Sequence, residues 1–154
     1  MPIEPEAALQ NASKLLALFA LLDALFAVDA LRVQEIIRLG PITPVHHAPE
    51  HVLGIINLRG RIVTVLDPAL RMGLGAQEQA PRSRILIVDW KDEQVGLLVS
   101  RVEDMVEAAP DAITAPPTNL KSDLGAYLSG VLQLKDHMVS ILDLEPLLSV
   151  DEAS

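Results

Sequence analysis

Apolar residues fall along this chain in short paired runs broken by polar turn formers. In Gly54-Ile-Ile-Asn-Leu-Arg-Gly-Arg-Ile-Val-Thr-Val-Leu-Asp67, two runs rich in β-branched residues flank Arg59-Gly60. Successive strand side chains point to opposite faces, so Ile56 and Leu58 share one face and Ile55, Asn57 and Arg59 the other. Gly60 supplies the positive φ of a tight turn, and the stretch predicts a β-hairpin. Ile85-Leu-Ile-Val-Asp-Trp-Lys-Asp-Glu-Gln-Val-Gly-Leu-Leu-Val99 has the same form of strand, polar turn and strand.

Both patterns occur twice. Displaced by 76 positions, residues 54–67 fall on 130–143, matching Gly54 with Gly130, Asn57 with Gln133, Leu58 with Leu134, Arg59 with Lys135, Thr64 with Ser140 and Asp67 with Asp143. Gly60 becomes Asp136, another good turn residue. The almost wholly apolar run Leu15–Val28 has the Leu/Ala composition of a helix. Displaced by 69, however, it falls on Ile85–Val99, and Arg32–Ile37 falls on Arg101–Val106. The repeat therefore predicts strands over Leu15–Leu22 and Leu25–Val28 around Asp23-Ala24. Prolines 41, 44 and 49 in one copy and 110, 116 and 117 in the other mark the longer connections. Short helical turns are expected over Pro68–Leu74 and Leu144–Leu148, capped by Asp67 and Asp143.

Two copies of strand, strand, connection and hairpin imply two small pseudo-symmetric β lobes, each too small to bury a good core alone. We expect one domain over 13–150, with lobes at about 13–74 and 84–150 whose strands are free to exchange, a linker at 75–83 and a flexible tail at 1–12. The 14-residue apolar run is interrupted by Asp23, follows acids rather than a basic segment, and is shorter than the roughly 18 residues that cross a bilayer.

The formal net charge is −9, distributed unevenly. Residues 32–84 carry seven arginines (Arg32, Arg38, Arg59, Arg61, Arg71, Arg82, Arg84) against Glu35, Glu50, Asp67 and Glu78. The acidic total argues against nucleic acid as a partner, and the local arginine excess suits a protein-binding surface. There is no cysteine, which removes disulfides, thiolate metal sites and a cysteine nucleophile. His46, His47 and His51 are the one metal-like grouping, but adjacent histidines in an extended loop point apart. No nucleophile elbow, paired acids at catalytic spacing or phosphate-cradling loop can be picked out.

The segments Val33-Gln-Glu-Ile36, Pro49, Gly54-Ile-Ile-Asn-Leu-Arg-Gly60, Val63-Thr-Val-Leu-Asp67 and Gly73-Leu74 together resemble the CheW-like family of bacterial chemosensory adaptors. So do Val95-Gly-Leu-Leu-Val99 and Tyr127-Leu-Ser-Gly130 through Leu142-Asp-Leu144. The resemblance spans about residues 13–150 and implies a mainly β fold of two SH3-like barrel subdomains. It implies a non-enzymatic, cytoplasmic scaffold without cofactors, coupling chemoreceptor tips to the regulatory domain of a CheA-type histidine kinase, with no direct membrane insertion. Receptor helices would lie along the inter-lobe groove. By position, Val33, Glu35, Ile36, Gly54, Asn57, Leu58, Arg59 and Gly60 are assigned to partner contact, and Ile42 and Val45 to the kinase-facing surface. Thr64 where proline is common, Pro68 where leucine is usual and Ser100 where an acid is common mark a divergent paralogue. The alternatives are a paralogue that binds the kinase without the receptor and, from another class, a metal-dependent hydrolase using the histidine loop.

Overall fold

A computed structural model describes residues 13–116 and 122–149; the expected tail at 1–12 lies outside them. The strands are β1 (Lys14–Leu21), β2 (Ala24–Asp29), β3 (Val33–Arg38), β4 (Val52–Leu58), β5 (Arg61–Leu66), β6 (Arg84–Trp90), β7 (Glu93–Val99), β8 (Arg101–Ala108), β9 (Ile113–Thr114), β10 (Leu128–Gln133) and β11 (Met138–Leu142). Short helices are α1 (Pro68–Arg71), α2 (Ser122–Gly125) and α3 (Leu144–Leu148). The fold is mainly β, as the sequence predicts.

The strands form two sheets, one ordered β8-β1-β2-β11-β10-β9 and the other β3-β6-β7-β5-β4. Under the sequence repeat, β1, β2 and β3 correspond to β6, β7 and β8, and β4 and β5 to β10 and β11. The two orders are then the same apart from the two-residue β9, in whose place the other sheet has the isolated Thr43–Ile55 bridge, and each copy's first hairpin has crossed into the other copy's sheet. The crossing is completed by two parallel pairs, β11 with β2 and β5 with β7. Each sheet therefore takes strands from both halves of the chain.

The exchange explains why Leu15–Val28 is apolar without being helical. Leu16 and Leu18 of β1 face the interior of the first sheet with Ala27, Val139 and Ile141. The alternate residues Ala17, Phe19 and Leu21 enter a core shared with Leu86, Val88, Leu97 and Val99 of the other sheet. A strand buried on both faces reads as a continuous hydrophobic run. The β1–β2 turn is Leu22-Asp23, one residue earlier than the repeat suggested, because Leu21 pairs with Ala24.

Gly54 is fixed by a close crossing. It sits at a bulge in the β4–β5 ladder with φ +150°, and a Cβ there would lie 2.1 Å from the Thr43 carbonyl oxygen. Thr43 and Ile55 exchange backbone hydrogen bonds of 2.9 and 2.8 Å at that point. Its counterpart Gly130 is likewise covered by Ile113 and Thr114 of β9.

A buried polar network ties the sheets at their seam. Asp67 caps α1 through Ala69 N–H at 3.0 Å and Leu70 N–H at 3.2 Å, and also accepts from the backbone and side chain of Gln77, both at 2.8 Å. Gln77 Nε2 donates to the Leu98 carbonyl at 2.7 Å, while its Oε1 accepts from Ser100 Oγ at 2.7 Å. Ser100 Oγ in turn accepts from Leu22 N–H at 3.0 Å. The linker at 75–83 is thus pinned at Gln77 rather than loose.

Because each sheet contains a hairpin from the other half, the two should unfold together. In urea, fluorescence of the single Trp90 and far-UV circular dichroism should give one coincident transition. Phe19→Ala, at a 1% exposed position in the shared core, should lower stability by about 3–5 kcal/mol without splitting it. Two separated transitions would contradict the exchange.

Candidate functional site

The β4–β5 hairpin closes with Leu58 opposite Arg61, leaving Arg59-Gly60 as a two-residue turn. Arg59 has φ +52° and Gly60 φ +86°, the type I′ geometry whose twist matches the strands. Asn57 Oδ1 accepts from Gly60 N–H at 2.8 Å and braces the turn from one side. Asn57 is therefore a turn brace first, although it stays exposed.

Arg59 does not stand free. Its guanidinium grips Glu35 of β3 in a two-pronged ion pair, Nη1 to Oε1 at 2.9 Å and Nη2 to Oε2. β3 and β4 are opposite edges of their five-stranded sheet, so this pair spans the mouth where the sheet curls back on itself. Ile37 and Leu39, from β3 onward, pack against the same interior cluster as Leu53, Ile56 and Leu58 of β4. The hydrogen bond from Arg59 holds the Glu35 carboxyl below its ordinary value, outweighing the opposing effect of burial. Arg59 is raised in return, chiefly by the same bond. Two residues that the sequence assigns separately to partner contact are thus brought together as one unit.

The expected contact residues divide by environment. Val33 is half-buried against the shared core, whereas Ile36 is 39% exposed. Their spacing of three suggested a helical turn; the structure makes both part of β3, and a bulge between Val33 and Glu35 restores them to one face. Val33 lies opposite Val88 and Ile36 opposite Leu86, both on the shared-core face. Gly54 is buried and Leu58 packs into the barrel interior, so these two shape the hairpin rather than present a contact. Ile42 likewise packs inward, while Val45 is 44% exposed.

Sequence reasoning missed Ile62, which is 65% exposed beside the tip. Ile62, Thr64 and Leu66 of β5 line one side of a groove of about 530 Å³ that continues over Trp90 and Gln94 to Leu148 of α3. A signal was available: Met138, its counterpart in the repeat, is also apolar and is 56% exposed. The second hairpin tip is built differently. Leu134 and His137 exchange backbone hydrogen bonds of 2.7 and 3.3 Å, and neither Lys135 nor Asp136 takes positive φ. Lys135 and Asp104, the counterparts of Arg59 and Glu35, are not joined.

Among the described residues, no three His, Asp or Glu side chains gather where a metal ion could be held. Contrary to the expectation that adjacent histidines point apart, His46 and His47 meet edge to face with ring centroids 4.8 Å apart, His47 having left the extended conformation at φ +61°. His51 turns inward instead, its Nε2 buried without a hydrogen-bond partner. Burial, and secondarily the positive charge of Arg71, push its pKa down. No helix among the described residues is long and apolar enough to cross a membrane.

These features have a family. The model of the CheW-like domain matches residues 16–152. The chain belongs to the CheW-like family. It is 34% identical to the chemotaxis protein CheW of Rhizobium meliloti (strain 1021), over 94% of this chain and 93% of that one. It is 27% identical to the protein FrzA of Myxococcus xanthus, over 77% and 74% of the two chains. Among solved structures, the scaffolding protein TtCheW from Thermoanaerobacter tengcongensis superposes with a TM-score of 0.83 at 32% identity, covering 90% of each chain. Within this CheW-like chain, the Ser100 hydroxyl both donates to Gln77 and accepts from Leu22.

The His51 environment sets a pH dependence. Its folded pKa lies below the ordinary 6.5, so the unfolded chain binds the proton more readily. The stability arising from neutral His51 is present above the unfolded value and is lost as pH falls through the folded one. Stability measured by urea titration between about pH 7.5 and 5 should decline more in the natural chain than in His51→Gln. Equal declines would show that His51 is not responsible.

Proposed function

We propose that this CheW-like chain is a chemosensory adaptor without enzymatic activity, joining the cytoplasmic tip of a chemoreceptor to the regulatory domain of a CheA-type histidine kinase. It would sit at membrane receptor arrays through protein contacts alone. The observation that carries this reading is the hairpin tip, where a two-pronged Arg59–Glu35 pair joins the two sheet edges, next in sequence to exposed Ile36 on β3 and close in sequence to exposed Ile62 on β5. Apolar area with an oriented arginine at its rim is the composition of a protein-docking patch. Relatives bearing the names chemotaxis protein and scaffolding protein support it.

In this reading Val33, Glu35, Ile36, Asn57, Arg59 and Gly60 form or brace the receptor-facing surface, and Gly54 and Leu58 hold the hairpin in place behind it. Val45 is the exposed member of the kinase-facing pair. The adaptor acts by simultaneous attachment: each small interface is modest, and one engaged partner raises the effective concentration for the next. A planar guanidinium already fixed by Glu35 presents its remaining donor edge in one orientation, which a lysine could not reproduce.

Arg59→Glu should leave the urea transition nearly in place, because the pair is exposed. It should lower receptor-dependent kinase activation in a reconstituted assay by about tenfold or more. Separate pull-downs with kinase and receptor should show the loss on the receptor side. Full activation by the variant would remove the hairpin tip from the receptor interface.

A further inference from the structure

Three arginines line one depression between the two sheets, and a fourth, Arg38, faces one of them across a strand pair. Arg38 ends β3 and lies directly opposite Arg84, the first residue of β6, so both side chains leave the same sheet face. Arg84, Arg82 and Arg101 line a depression of about 280 Å³ with Val102 and Glu103, between the start of β6 in one sheet and the start of β8 in the other. Ile36, on the same face of β3 two residues before Arg38, continues the surface with exposed apolar area.

This arrangement works against the fold. Like charges directly opposite across a strand pair are destabilising, and among the described residues no acid pairs with Arg38, Arg82 or Arg84. Arg84 Nη1 instead donates to the Pro81 and Ser83 carbonyls at 2.9 and 2.8 Å, which holds its guanidinium at the rim. Of these four, Arg101 is the one with an ionic partner among the described residues, Glu103 at 2.6 Å. Four of the chain's 12 basic residues thus stand together on a molecule of formal net charge −9.

We infer that this arginine cluster is a specificity site for an acidic segment of the protein partner, two or more Asp or Glu side chains that flank the apolar residues resting on Ile36. The inference rests on the adaptor reading and deepens it. Guanidinium forks bind carboxylates in two-pronged fashion, and a recessed site between two sheets suits a side-chain cluster better than a flat lipid surface, which the acidic remainder of the molecule would repel.

The test uses a fluorescein-labelled hexaglutamate peptide, read by fluorescence anisotropy on the intact protein. Among the described residues Arg82 has no side-chain hydrogen bond and Arg101 pairs at the surface, so Arg82→Ala/Arg101→Ala should fold normally, which its urea transition checks. The double variant should bind the peptide at least about tenfold more weakly, while Arg61→Ala, on the far side of the sheet, should bind as the natural chain does. Affinity should fall steeply between low salt and about 0.15 M salt, and amide shifts on binding should centre on 36–38, 82–84 and 100–103. Equal binding by the double variant, shifts centred elsewhere, or preferential binding to phosphatidylglycerol vesicles would each overturn the proposal. Arg59→Glu should retain peptide binding. A failure here while Arg59→Glu still uncouples the receptor therefore refutes the acidic-segment site alone, and full coupling by Arg59→Glu with peptide binding intact refutes the hairpin reading alone.

Discussion

The fold depends on the burial of the two first hairpins on both of their faces. Ala17, Phe19 and Leu21 enter the shared core from β1 while Leu16 and Leu18 fill their own sheet's interior; Leu86 and Val88 of β6 do the same opposite Ile85 and Ile87. Apolar burial stabilises by about 25 cal/mol per Å², and a doubly buried strand collects that contribution from each side. Because each hairpin lies in the sheet of the other copy, neither barrel can close first and then dock. The seam between them, and every surface along it, is therefore as rigid as the core. An adaptor needs that property, since a contact on one barrel is useful only if it stays in register with a contact on the other.

The seam also has to accommodate polar atoms that cannot reach water. Asp67 is 1% exposed and both its oxygens are used, against the penalty that a buried carboxylate would otherwise carry. Its largest partner, Gln77, spends its amide protons on Asp67 and on the Leu98 carbonyl, which leaves Oε1 in need of a donor. Ser100 supplies one and still accepts from Leu22 N–H. An ionised carboxylate at position 100 could accept from Leu22 but could not donate to Gln77. The serine and the buried glutamine are thus a matched pair.

Much of this was legible in the sequence because the chain carries its own comparison. The repeat overrode a helical composition at Leu15–Val28 and placed both hairpins, and the capping aspartates were readable from position. What the repeat could not show was which strand pairs with which. Exchange leaves the order of elements within each copy unchanged, so 69- and 76-residue displacements look the same whether or not hairpins cross. Residue roles were less legible than elements. Gly54 and Gly60 read alike as hairpin glycines, yet one is needed for a crossing strand and the other for a turn, and the crossing residue Thr43 lies outside the motif. Arg59 and Glu35 were both singled out, but their contact joins the two edges of a curled sheet 24 residues apart, and no local pattern encodes it.

That contact bears on how the surface works. An ion pair with Arg59 more than two-thirds exposed contributes little to stability, and the second barrel closes without one, its Lys135 and Asp104 remaining apart. Barrel closure therefore does not require the pair. Nor does the strained turn: the second tip closes with no residue at positive φ, whereas the first places an arginine at +52°, a conformation that disfavours side chains. Two barrels with the same strand order and nearly the same hairpin sequence differ at one tip in turn type, in the presence of a fixed guanidinium and in the pairing of its acid. Folding requirements are common to both and do not explain the difference; a requirement that falls on one barrel alone, as docking at that tip would be under the proposed function, would.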